Sequence, residues 1–82
     1  MIKHETMSEI EFIDIFSDNL RELMLEHNIT QIELADEILV NKSTITRYLN
    51  KSTMPSIKAL INLSIVFNCD IEDLVPTYDL IN

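Results

Sequence analysis

The sequence predicts an all-α fold of five helices with an extended first helix. Three observations predict it. No stretch alternates apolar and polar residues in the manner of a half-buried strand. Glycine is absent from all 82 residues, which argues against a turn-rich β architecture. Two capping-box spacings, Ser8 with Glu11 and Thr30 with Glu33, stand before runs in which apolar residues recur at helical spacing. A hydrophobic content of 46% suffices for a helical core. The expected organisation is one small domain over 9–76, between an N-terminal tail (1–8) and a C-terminal tail (77–82). A chain of this size buries only about 60–65% of its unfolded surface, so its stability is modest unless a dimer adds burial.

Helix one is expected from about Glu9 to Glu26. Phe12, Phe16, Leu20 and Leu23, with Ile13 and Met24, form its apolar stripe. Its first turns carry Glu9, Glu11 and Asp14 among Ile10, Phe12, Ile13 and Ile15. These turns read either as a solvated extension that adds core burial or as a contact surface for a partner. Helix two, about 31–38, starts at the Thr30–Glu33 capping box and carries Leu34, Ala35 and Ile38 on one side. Ala35 is small where two steeply crossing helices need close approach.

Helix three, about 42–50, follows Asn41 as a candidate N-cap. At about 100° per residue, Lys42, Ser43, Thr46, Arg47 and Asn50 fall within an arc of roughly 140°. Ile45, Tyr48 and Leu49 fall within roughly 100° on the other side. One face is therefore fit for the core. The other offers cations, hydroxyls and an amide, the groups that contact base edges and phosphates. The same pattern also fits an amphipathic surface helix with a solvated face. Helix four is expected from Ser56 to Phe67, started by Pro55. Ile57, Leu60, Ile61, Leu63 and Ile65 make it apolar on more than one face, so it calls for burial on two sides, the domain core and a dimer partner. A short fifth helix, about Ile71 to Val75, is expected between Asp70 as N-cap and Pro76 as its stop.

Charge is polarised along the chain. Fourteen acids against six Lys and Arg give a net charge of −8. Yet no acid occurs from Ile38 through Cys69, a span that holds Lys42, Arg47, Lys51 and Lys58, four of the six cations. The positive charge thus gathers at helix three and the loop beyond it.

From Phe16 to Leu74 the chain resembles the Cro/phage-repressor helix-turn-helix family, also called the xenobiotic-response-element family. The residues that carry the resemblance are Leu20-Arg21-Glu22-Leu23, Thr30-Gln31 with Glu33-Leu34-Ala35, Ser43-Thr44-Ile45-Thr46-Arg47, Asn50 with Pro55-Ser56, and Phe67 through Leu74. The resemblance implies a five-helix, lambda-repressor-like DNA-binding domain. It implies that Gln31 contacts phosphate and braces the recognition helix. Lys42, Ser43, Thr46 and Arg47 would face base edges or nearby phosphates, and Asn50 would contact the backbone. Lys51 joins this DNA-facing set as the next cation along. Ile71, Leu74, Val75 and Tyr78 would contribute to a two-fold interface.

Departures from the family pattern carry physical consequences. Leu39 stands in the turn between helices two and three where Gly is common, and a left-handed backbone costs such a residue roughly 1–2 kcal/mol. Asn28 and Asn68 replace Gly at the ends of helices one and four, which Asn tolerates. Lys51 replaces another. Met24 and Leu49 occupy the positions of a buried Arg–Glu pair found in many members, a coherent apolar swap that can be neutral or stabilising. Ser52 and Thr53 are neutral where relatives are often basic, which predicts fewer phosphate contacts.

These readings lead to a sequence-specific DNA-binding transcription regulator, a repressor that acts as a homodimer on a roughly palindromic operator in double-stranded DNA. The alternative is an acidic protein-binding module of antitoxin or anti-repressor type, docking a partner through its N-terminal helix. An enzyme is not expected. No Ser, His and acid set stands out, and no phosphate-cradling Gly loop. His4, Glu5, His27 and Cys69 are too scattered for a metal site, so neither metal nor cofactor is expected. Cys69 cannot form an internal disulfide and reads as a small, partly buried hydrophobe. No signal peptide or membrane-length apolar run stands out, so a cytoplasmic protein without membrane contact is expected.

Overall fold

The structure, a computed structural model, describes residues 7–76. It contains four α-helices: α1 (Glu9–Glu26), α2 (Gln31–Glu37), α3 (Lys42–Leu49) and α4 (Ile57–Phe67). The expected fifth helix is instead a single 3₁₀ turn, Ile71–Asp73. Its shortness has a local cause. Asp73 Oδ2 accepts from the Asp70 amide at 3.1 Å, Leu74 N–H already closes onto Ile71 O at 2.8 Å, and Pro76 disfavours helical geometry at the residue before it. The parts of the sequence reading that concern the two tails beyond this range, with His4, Glu5 and Tyr78, lie outside the described residues.

The helix starts follow from side chains. Glu11 N–H donates to Ser8 Oγ at 3.1 Å and Ser8 N–H to Glu11 Oε1 at 3.3 Å. The same reciprocal pair opens α2, with Glu33 N–H to Thr30 Oγ1 at 3.2 Å and Thr30 N–H to Glu33 Oε1 at 2.9 Å. Ser56 caps α4 through Ala59 N–H at 3.0 Å. Asn41 occupies the N-cap of α3 with an extended backbone, but its side chain makes no capping hydrogen bond, contrary to expectation.

The helix ends share one device. Asn28, Leu39, Lys51 and Asn68 all have positive φ, between 50° and 63°. After each, the next residue's N–H reaches back five positions: Ile29 to Met24 O, Val40 to Ala35 O, Ser52 to Arg47 O and Cys69 to Ser64 O, at 3.0–3.1 Å. Four helices thus close with Schellman motifs and no glycine. Asn takes the left-handed form readily, whereas Leu39 and Lys51 take it against a steric cost.

The core forms where the helices converge. Phe16, Leu20, Leu34, Ile45, Leu63 and Leu74 are fully buried. Phe16 of α1 meets Tyr48 of α3 edge to face, ring centroids 5.4 Å apart. Met24 and Leu49, in place of a charged pair, are both buried in this cluster. At the other end of α1, Ile10 is 81% exposed, so the extension's first turns are solvated on that side.

Candidate nucleic-acid interface

Helix α3 is held from behind. Ile45, Tyr48 and Leu49 are buried, as the helical spacing requires. Ser17, a fully buried polar residue of α1, donates to Leu49 O at 3.1 Å. Arg21 Nη2 donates to the same carbonyl at 3.2 Å. A guanidinium at the C-terminal end of α3 also complements the helix dipole there. Sequence reasoning did not single out Ser17 or Arg21 for this work. A small hydroxyl beside Phe16 and one turn before Leu20 was the available signal. Asn19 Nδ2 similarly donates to Leu74 O at 3.1 Å and ties the 3₁₀ turn to α1.

The opposite face of α3 is open. Lys42, Ser43, Arg47 and Asn50 are all exposed. Lys42 and Arg47 make no ion pair among the described residues. Thr46 and Gln31 sit at the edge, both half-buried. The Thr46 hydroxyl lies 2.7 Å from Gln31 Oε1 and 3.2 Å from Lys42 O, so its single proton goes to the shorter contact and links α3 to the start of α2. Gln31 keeps its amide N–H groups for another acceptor. Arg47 O accepts from both the amide and the hydroxyl of Ser52, at 3.0 and 3.2 Å, so the neutral Ser52 finishes the helix.

Lys51 differs from the other cations of the expected set. Its ammonium turns to α1 and pairs with Asp14 and with Asp18, the latter at 3.2 Å. Hydrogen bonds to Asp14 first and Asp18 second hold it above the usual lysine range. Asp14 and Asp18 share one face of α1 at a spacing of four residues, which is readable in the sequence; their partner is not.

The rest of the surface does other things. Glu33, Asp36 and Glu37 line a groove of about 500 Å³ with His27 and Phe67, and no residue of α3 takes part in it. Glu33 is held below the ordinary carboxylate range, chiefly by the Thr30 N–H and then by its hydroxyl. Burial, with lesser contributions from Asp73 and Asp70, pushes the half-buried Cys69 thiol above its ordinary range. Among the described residues no cluster of His, Cys, Asp and Glu could hold a metal ion, and no helix is long and apolar enough to cross a membrane.

Two short helices around a tight turn, the second with a buried back and an open polar front, are now matched by comparison. A family model described as helix-turn-helix covers residues 20–74, more than half of the chain. The chain belongs to the Cro/C1-type helix-turn-helix family. A transcriptional regulator from Listeria innocua superposes with a TM-score of 0.73 at 30% identity, over 82% of this chain and 63% of that one. This chain therefore spans a little under two thirds of that regulator. The SOS-response transcriptional repressor LexA from Eubacterium rectale gives a TM-score of 0.75 at 24% identity, over 100% of this chain and 85% of that one. An HTH_3 family transcriptional regulator from Vibrio cholerae gives 0.76 at 13% identity, over 82% of this chain and 38% of that one. The last two likenesses concern the fold alone. No curated protein matches the sequence. Within the family's frame, α2 and α3 are the two helices of the helix-turn-helix.

Proposed function

We propose that this chain is a sequence-specific transcription regulator that represses by occluding a promoter as a homodimer. The observation that carries the reading is the open face of α3. Lys42, Ser43, Arg47 and Asn50 are exposed together on a helix whose other side is locked to the core, within a span free of acids. Arg and Lys suit guanine edges and phosphates, and Ser and Asn donate or accept as a base edge requires. Gln31, bonded to Thr46 at the start of α2, would donate its free amide N–H groups to a phosphate. The likeness to a protein described as a transcriptional regulator, at 30% identity, supports the regulator reading.

Dimerisation rests on α4. Ile57, Ile61 and Ile65 recur every fourth residue along it and are 77%, 44% and 69% exposed. A row of three isoleucines in water is a natural seam for a second copy. A two-fold dimer would set its recognition helices about 34–36 Å apart, one turn of the duplex.

A second reading, an acidic protein-binding module, draws on the exposed Ile10 among Glu9 and Glu11 at the tip of α1. The two readings separate on one variant. In fluorescence anisotropy with duplex from the protein's own promoter region, the wild type binds in preference to scrambled duplex. Arg47→Ala weakens that binding by about 1–3 kcal/mol, roughly 5- to 150-fold, and erodes the preference. Equal affinity of wild type and Arg47→Ala for both duplexes would sink the regulator reading.

A further inference from the structure

Lys51 is the only cation among the described residues that is engaged in ion pairs, and both its partners lie on α1. It follows Asn50, the C-cap of the recognition helix, so it stands where the chain leaves the proposed DNA surface. Resting on the DNA-binding reading above, we propose that Asp14 and Asp18 are positioning residues that act as an internal phosphate mimic. They occupy the Lys51 ammonium and lower the number of phosphates the protein can neutralise.

The geometry supports a contact made to be competed for. Asp14 and Asp18 sit four residues apart on one helical face and each presents an anionic oxygen to one ammonium, the type of acceptor that a phosphate would offer it. The side chains of Lys51, Asp14 and Asp18 are 40%, 57% and 66% exposed, so all three meet solvent. An exposed pair is weak and exchangeable. A duplex approaching Lys51 therefore has to displace the carboxylates and then lie beside them. Both effects oppose nonspecific binding, which is almost wholly electrostatic, and leave base contacts by Arg47 and Lys42 untouched. The left-handed backbone at Lys51, φ 63°, is held by Ser52 N–H on Arg47 O, which fixes where the side chain departs. The device would therefore trade affinity for sequence discrimination.

The test measures binding to a short mixed-sequence duplex across a salt series. Asp14→Asn/Asp18→Asn should bind about tenfold more tightly at about 50 mM salt, and its log-log salt slope should steepen by about one per protein copy bound. Glu22→Gln/Glu26→Gln removes the same charge from α1 at exposed positions and should leave the slope as it is. Adding Lys51→Met to Asp14→Asn/Asp18→Asn should remove the gained slope. Thermal melting of each variant confirms that it is folded, and the slope compares variants independently of small stability losses. A slope unchanged in Asp14→Asn/Asp18→Asn while the wild type binds overturns this inference alone. A slope equally steepened in Glu22→Gln/Glu26→Gln also overturns it, because net charge then accounts for the effect. No binding by any protein at low salt, either to this duplex or to duplex from the protein's own promoter region, overturns the DNA-binding reading, and this inference with it.

Discussion

At the scale of single residues, Leu39 and Lys51 stand out. Both hold left-handed backbone without glycine's freedom. Leu39 is 90% exposed, so its side chain contributes almost no burial to offset the strain. Leu39→Gly relieves roughly 1–2 kcal/mol of steric cost and adds up to about 1 kcal/mol of unfolded-chain entropy to be lost. The net expectation is a gain of about 0.5–1 kcal/mol, seen as a rise of a few degrees in Tm by calorimetry. A lower Tm for Leu39→Gly would mean that the exposed leucine has a packing role. Sequence comparison with the family pattern was sufficient to mark all four left-handed positions, because each replaces a glycine that the Schellman turn favours. It was not sufficient to find where Lys51 points. That depends on the packing angle of α1, which no local pattern encodes.

At the scale of elements, the helix starts were legible and the last helix was not. Ser8–Glu11 and Thr30–Glu33 form the expected reciprocal bonds because a capping box is local chemistry, complete within four residues. Asn41 lacks the side-chain bond, and its backbone carbonyl takes the Thr44 amide at 2.9 Å instead. The segment after Asp70 was too short, before Pro76, to carry the apolar pattern of Ile71, Leu74 and Val75 beyond one turn. The α2 cap also makes a pH prediction. The folded-state pKa of Glu33 is depressed, so its contribution is present above its unfolded value of about 4.5 and is lost as pH falls through the lower folded value. Glu33→Gln keeps the capping geometry but cannot titrate. Plotted against pH, its Tm should fall less steeply than the wild type's below about pH 4.5. Parallel curves would place the acid sensitivity elsewhere. The open face of α3 was readable from helical arithmetic alone, yet the struts behind it were not. Ser17 and Arg21 meet Leu49 O across 32 and 28 residues of sequence.

At the scale of the molecule, a protein of net charge −8 has to approach a polyanion. Its described acids lie on α1, α2 and the segment after Cys69, none on α3 or α4. With a Debye length of about 8 Å at physiological salt, charge on a remote face is largely screened at the recognition surface. With Lys51 held by α1, few cations remain to release counterions, and the expected outcome is a shallow salt dependence with low nonspecific affinity. Such a binder gains from two copies on one site, which is the role proposed for the exposed row Ile57, Ile61 and Ile65. Ile61→Asp should convert a dimer to a monomer in sedimentation experiments and weaken operator binding while leaving helical content intact. An unchanged sedimentation profile would remove α4 as the seam. Amide chemical-shift mapping of the labelled protein, titrated with duplex from its own promoter region, shows whether α3 is the surface that meets DNA. Shifts should concentrate at Gln31 and at Lys42 through Asn50. Shifts confined to the first turns of α1, or absent throughout at saturating duplex, would contradict it.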